Sequence, residues 1–331
     1  MADINITKDS KLVKLLAAQA RNERVDSDKA EEAAAIINEL AQDLNKDHCQ
    51  QIAQTVAYVV DDLQKKSLDF LNLVADQKTI GYGDKAAFKV RTGGIKAYLQ
   101  AKGSTTARSY VADKQILVDT KEISARPAIN IIDLRAGRVN MADLIREANT
   151  AMTNKKLGMI EGVLHDAIDN FSTPFYGTGT GVVQATLDGQ INYFRRLGPV
   201  TLLGDIAAVG QLAPLSGMAI NSTTNQFSGN MIDEHNDNGF IGRYNGCNVL
   251  AMNNTYEEGS TTPILATDWI YILPGGMGAD MRNLKIVNEG PVNSIAAQDI
   301  NDMTYEVRLD QWFGCAFVVG QLPNIGAYHI G

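Results

Sequence analysis

"AFKVRTGGIKAYLQAKGSTTARSYVADKQILVD" occupies residues 87–119, and how it is read decides the fold. Ile95, Ala97, Leu99 and Ala101 alternate with Lys96, Tyr98, Gln100 and Lys102, the period of two that puts successive side chains on opposite faces of a strand. Gly93-Gly94 and Gly103-Ser104 punctuate it as turns. Between Lys85 and Lys114 there are seven Lys or Arg, opposed only by Asp113. The stretch has too few large apolar residues for a core of its own, and a lone two-stranded hairpin is marginal in water. It predicts a basic arm that must be docked on a surface supplied elsewhere.

On its N-terminal side the chain reads as helical from residue 11 to 76, with a gap near Asp26–Asp28. Ile36, Leu40, Leu44, Ile52, Val56, Val59 and Leu63 fall near one helix face, and the polar "NKDHC" weakens that stripe. Ser27 or Asp28 is the expected cap. From Glu31 to Asp76 nine Asp or Glu face three Lys, the composition of a solvated helix face.

On the C-terminal side, "QILVDTKEISARPAINIIDLRAG" is a second strand-like run. A long helix is then expected over 141–170, capped by Asn140, with Met141, Leu144, Ile145, Ala148, Met152, Ile160, Leu164 and Ile168 in one stripe. Gly158 and Gly162 lower its stability unless something packs closely there. Residues 178–291 read as a compact α/β unit. Within it "TLDGQINYFRRLGP" is a short helix stopped by Gly198, and Asp205 caps another. Asn245-Gly246 turns a hairpin, and "DWIYILPGG" is a buried strand. The tail, "MTYEVRLDQWFGCAFVVG", alternates at Tyr305, Val307 and Leu309 and continues as a buried strand to Val319. Helices and strands mixed without strict βαβ repetition predict an α+β fold.

The 331 residues carry a formal net charge of -8, which argues against a surface that grips nucleic acid all over. The three cysteines are far apart and lack ligand spacing, and the polar start shows no secretory signal, so a cytosolic product is expected. "GTGTG" at 177–181 lacks the strand-loop-helix context and the Gly-Lys-Ser/Thr of a phosphate loop and reads as a flexible hinge; "LPGGMG" at 273–278 fails similarly. His235, beside Asp233, Glu234 and Asp237, reads as an exposed loop rather than a metal or acid/base cluster. No catalytic arrangement, cofactor motif or metal site emerges.

This order of elements resembles the major capsid proteins of tailed bacteriophages, the Hong-Kong-97-type fold, which encapsulin shells share. "AFKVRTGGIKAYLQAKGSTTARSY" looks like that family's extended E-loop, "NMADLIREANTAMTNKKLGMIEGVLHDAI" like its spine helix, and "GFIGRYNGCNVLAM" like a pattern of its axial domain. "MTYEVRLDQWFGCAFVVGQLPNIGAYHI" looks like its closing strands. The resemblance implies a helical N-arm (1–76), an E-loop (77–116) and a peripheral P-domain (117–177) with the spine helix at 141–170. It further implies an axial A-domain (178–291) and closing P-domain strands (292–331).

The function so implied is structural: a subunit that self-assembles into hexamers and pentamers of an icosahedral shell around double-stranded DNA. It would be made in the host cytoplasm, use no cofactor and no membrane, and touch DNA without sequence preference. Scaffolding, portal and decoration proteins are its implied partners. The residues expected at the contact between subunits are Lys89, Arg91, Lys96, Leu99 and Lys102. An encapsulin-type nanocompartment is the same-fold alternative, distinguished by protein cargo in place of DNA. A small-molecule enzyme would show turnover in dissociated subunits, and a free binding module would sediment as a monomer.

Overall fold

The computed structural model describes residues 10–331 except 22, 24, 69–70, 100–101, 103–104, 106–107, 216–236, 238, 253, 258, 276–281, 300 and 321–322. The chain starts with helices α1 (Lys11–Ala20), α2 (Ser27–Gln42), α3 (Lys46–Ser67) and the single turn α4 (Leu71–Val74). It then enters strands β1 (Ala75–Ile80), β2 (Ala86–Arg91), β3 (Asp113–Val118), β4 (Lys121–Ala125) and β5 (Ala128–Asn130). Helices α5 (Ile131–Arg135) and α6 (Met141–Ile168) follow. Next come β6 (Tyr176–Gly179), α7 (Gln184–Arg195), β7 (Val200–Asp205), α8 (Ile206–Gly210), α9 (Leu212–Leu215), β8 (Arg243–Tyr244) and β9 (Cys247–Met252). Four strands close the chain: β10 (Trp269–Pro274), β11 (Leu284–Asp299), β12 (Thr304–Phe317) and β13 (Gly326–Ile330).

Three sheets result. The first runs β1-β11-β12-β4, with β5 also on β12; the second runs β6-β13-β10-β7-β9-β8; β2 and β3 pair alone. The first sheet is built on the antiparallel β11–β12 ribbon, in register from Leu284–Phe317 to Asp299–Thr304 with one irregularity between Glu289 and Asn293. Leu284 to Val287 are all buried, because β1 lies parallel on one side and helices cover the sheet; beyond the irregularity burial alternates from Val292 to Ile295. The irregularity is a bulge: Gly290 has φ +69°, and a Cβ there would strike the Tyr82 ring.

The helical segment is no detached arm. Leu12, Val13, Leu16, Ala33, Ile37, Leu40, Ile52, Val56, Val60 and Leu63 join one core with Ile145, Met152 and Leu164 of α6 and Tyr305, Val307 and Leu309 of β12. The apolar stripe is thus the packing face, and "NKDHC" marks the break at Asp43–Asn45 between α2 and α3. Asp26, not Ser27 or Asp28, stands at the N-cap of α2. Ala75 and Asp76, expected as helix, begin β1, because the parallel ladder to Leu284 and Lys285 supplies their backbone partners.

Helix α6 matches the expected spine closely. Asn140 Oδ1 accepts the Ala142 N–H at 3.1 Å while Asn140 Nδ2 donates to Asp143 at 2.7 Å, so the cap is fixed from both sides. Its 28 residues extend about 42 Å. Among the described residues nothing comes within 4 Å of a Cβ added at Gly158 or Gly162.

The second sheet departs from expectation at its ends. "GTGTG" is not a hinge: Tyr176–Gly179 is an edge strand, parallel to β13. The Tyr328 hydroxyl donates to Gly181 O at 3.0 Å and accepts the Val183 N–H at 2.8 Å, which pins the following turn. The boundary expected at 291 falls inside β11, and β13, expected among the closing strands, pairs with β10 in the second sheet. The buried strand expected to reach Val319 ends at Phe317. Asp205 caps α8 through Ala207 N, and Asn245 (φ 44°) with Gly246 (φ 74°) turns β8 into β9, as the sequence implies.

Because α3 is core, Ile52→Ala, at 2% exposure, is expected to lower unfolding free energy by about 2–5 kcal/mol. Glu31→Gln on the solvent face of α2 should change it by less than about 0.5 kcal/mol. Denaturant melts of the two variants check this.

Candidate subunit interface

The arm begins and ends at one carboxylate. Glu289, at the bulge of β11, accepts the Gly83 N–H at 2.8 Å and the Thr120 hydroxyl at 2.5 Å. These partners flank the β2–β3 hairpin, so a single side chain ties both roots of the arm to the first sheet. The Thr120 bond, then the Gly83 bond, holds the Glu289 carboxyl below its usual range.

The hairpin above the clamp runs from Ala86–Val118 to Arg91–Asp113. Ala86, Phe88 and Val90 are buried, whereas Lys89 and Arg91 face outward. Phe88, fully buried, packs with Ala86, Val118 and Val287 and against Ile80 and Ala316. Two ammonium groups lie over its ring, Lys78 at 4.5 Å and Lys285 at 5.5 Å from the centroid. Lys285 is itself buried and paired with Asp76 at 2.9 Å, its register partner on β1. The arm root is therefore docked on its own chain, and the expectation that another molecule must supply its surface is corrected for residues 86–91 and 113–118.

Further out the chain loses its ladder. Thr92 N and Gly93 N donate to Ala112 O at 2.8 and 3.2 Å, and Lys96 N to Ser109 Oγ at 3.1 Å, but no strand is formed over residues 92–99. The strand expected around Ile95–Ala101 is thus corrected, Gln100 and Ala101 lying outside the described residues. Period two cannot make a strand without a partner edge, and beyond Arg91–Asp113 the chain offers none to the described residues. Ile95 (77% exposed), Leu99 (106%), Tyr110 (70%) and Leu117 (56%) stand in solvent. Lys89, Arg91, Lys96 and Lys102 are exposed as well. The five residues expected at the contact therefore share one exposed arm, but the two-faced division of Ile95, Ala97 and Leu99 from Lys96 is absent.

The acidic block is partly spent within the chain. Asp61 pairs with Lys65 at 2.9 Å, Asp76 with Lys285, and Glu32 with Lys11 at 2.7 Å. Glu31, Glu39, Asp43 and Asp47 remain on the exposed surface of α2, α3 and the loop between them. Asp69 lies outside the described residues, as do Asp233, Glu234, His235 and residues 276–278 of "LPGGMG". Among the described residues no cluster of His, Cys, Asp and Glu could hold a metal.

Sequence reasoning missed a buried cation in the middle of the spine. Lys156, 1% exposed, donates to Gln64 Oε1 at 2.7 Å and Gln311 Oε1 at 2.5 Å and lies over Phe313 at 5.4 Å, joining α6 to α3 and β12. It flanks a surface cavity of about 560 Å³ that Asp61, Gln77, Tyr82 and Asn288 also line. Burial pushes the Lys156 ammonium down to about 7, against the pull of Asp61. Its position between apolar Met152 and Ile160 on the same stripe was the available signal.

A long arm clamped at its root, apolar and basic beyond it, on a two-sheet body with a spine helix, is the arrangement that the resemblance to the Hong-Kong-97-type fold implied. The chain belongs to the family described as "SPbeta prophage-derived putative capsid protein YonB", whose model matches residues 2–328. Solved structures of similar fold include one of the Cyanophage P-SCSP1u capsid (9% identity, TM-score 0.51, covering 78% of this chain and 87% of that one). Another is the mature capsid of bacteriophage PhiM1 (11%, TM-score 0.50, 78% and 85%). A protein of Mycobacterium phage Che8 is similar at 15% identity, with TM-score 0.50 over 74% and 84%. At these identities the likeness is one of fold. No curated protein sequence matches.

Two predictions test the site. Phe88→Ala should lower stability by about 3–5 kcal/mol and expose the arm root to proteolysis, whereas Lys89→Ala should leave both unchanged. For Lys156, the folded state favours the neutral amine, so stability is fully present above the unfolded value of about 10.4 and falls as pH drops towards 7. The melting temperature should therefore fall from alkaline to neutral pH, with that component absent in Lys156→Met.

Proposed function

We propose that this chain, a structural subunit of a phage capsid, closes an icosahedral shell of hexamers and pentamers around double-stranded DNA, with each arm laid across an adjacent copy. The observation that carries this is the arm beyond Arg91, where Ile95, Leu99 and Tyr110 are exposed on a segment that the chain's own sheets leave uncovered. Soluble chains seldom leave such a cluster open unless a partner covers it. The reading assigns burial to Leu99 and its apolar neighbours, and registration to Lys89, Arg91, Lys96 and Lys102. The acidic groups that would meet them are the exposed Glu31, Glu39, Asp43 and Asp47 of a neighbour.

On this reading the subunit carries out no catalysis and needs no cofactor. DNA would touch the inner wall weakly and without sequence preference, with affinity falling as salt rises. Scaffolding, portal and decoration proteins would act on the same shell, made in the host cytoplasm.

Light scattering of assembly across a salt series tests the arm. Exposed ion pairs contribute about 0–1 kcal/mol each, so Lys96→Ala alone should assemble normally. Replacing Lys89, Arg91, Lys96 and Lys102 together by Ala should cut assembly at low salt, where wild type is most favoured. Leu99→Asp should impair it more than any single charge removal, since a carboxylate would enter a dry contact. Normal assembly of Leu99→Asp would sink the docking of the arm, and a fourfold variant that assembles like wild type at low salt would sink the registration role.

A further inference from the structure

The last two turns of α6 meet the second sheet through stacked rings. His165 lies on Trp269 with centroids 4.1 Å and planes 24° apart, and its Nε2 is 2.8 Å from the Tyr271 hydroxyl. Trp269 and His329 are register partners on β10 and β13 and stack in turn at 4.8 Å and 25°. His329 Nε2 lies 2.9 Å from Asp268 Oδ2, and Tyr176 of β6 completes the group 5.9 Å from Trp269. Two of the four histidines thus share one of the two tryptophans, at the joint between the spine helix and the second sheet.

The surroundings of His165 suit a neutral ring. Trp269 is 6% exposed, so an imidazolium here gives up much of its hydration. From its own helix Glu161, 3.8 Å away, faces it, together with Asp166 and Asp169. From the second sheet and its approach come Asp268, Tyr271 and His329. Glu161 is a poor counter-ion: it already accepts the Ala266 N–H at 2.8 Å, and burial raises its own carboxyl. Burial lowers the His165 imidazole, outweighing the pull of Asp169, Asp268 and Asp166, while His329 adds to the lowering.

We propose that the His165–Trp269–His329 stack is a proton-operated latch, in which neutral His165 holds the end of α6 against β10 and protonation loosens that contact. The sign follows from linkage. A histidine with a folded value below its unfolded value of about 6.5 gives full stability above that pH. The contribution is lost as pH falls through 6.5 towards the folded value. Acid therefore frees the second sheet to shift relative to the spine helix while each sheet keeps its own ladder. This device is independent of the arm and of how copies pack.

The test reads the joint directly in the full chain. Trp312→Phe leaves Trp269 as the single tryptophan, and its emission should change reversibly between about pH 8 and about pH 5. Amide exchange in residues 160–168 and 269–273, corrected for intrinsic rates, should rise over the same range. His165→Gln, which keeps a polar contact to Tyr271, should flatten both responses, and His329→Gln should retain them. A wild-type chain whose joint exchanges equally at the two pH values overturns the latch without any substitution. So does a transition that survives His165→Gln, or one that is lost only in His329→Gln.

Discussion

The β11–β12 ribbon is the element on which the other parts rest. Its paired backbones satisfy each other from Leu284 to Asp299, so side chains on both faces are free to bind other elements. One half takes β1 in parallel; the other carries β5 along β12 and receives the start of α3, while β4 pairs with Leu309–Phe313 across the join. Between the halves the Gly290 bulge breaks the ladder and aims Glu289 at Gly83 and Thr120. A continuous ladder would have kept that side chain in the alternation of the strand, and the arm would have had no common root.

Two buried lysines, Lys285 on β11 and Lys156 on α6, place charge against this ribbon. Lys285 has Asp76 as counter-ion and an aromatic face beside it. Among the described residues Lys156 finds neutral carboxamide oxygens at hydrogen-bond distance, and burial weakens its hold on the proton. The difference is the partner: a carboxylate offsets desolvation of the ammonium, whereas a carboxamide offsets it only in part. Burial with these partners holds the Lys156 ammonium down to about 7.

Capsid function follows from a division of labour within one chain. The four N-terminal helices, α6 and the first sheet share one core, which Leu203, Trp269 and Tyr271 of the second sheet join, and the second sheet encloses a further core of Leu187, Phe194, Leu202, Ile270 and Tyr328. The arm leaves that body at one clamp and carries its exposed apolar residues away from both cores.

The amino-acid sequence determined the parts whose signal is local. Asn140 and Asp205 capped helices, Asn245-Gly246 turned a hairpin, and the stripe from Ile52 to Leu63 found its packing face. It also determined that the arm is basic and poor in core residues, which located the candidate interface. Tertiary structure decided what depends on partners distant along the chain. Asp76 became strand because Lys285 lies beside it, and "GTGTG" became an edge strand because β13 returns to it. Residues 92–99 alternate as a strand does but formed none, since period two describes faces and cannot supply the neighbouring backbone that a ladder requires.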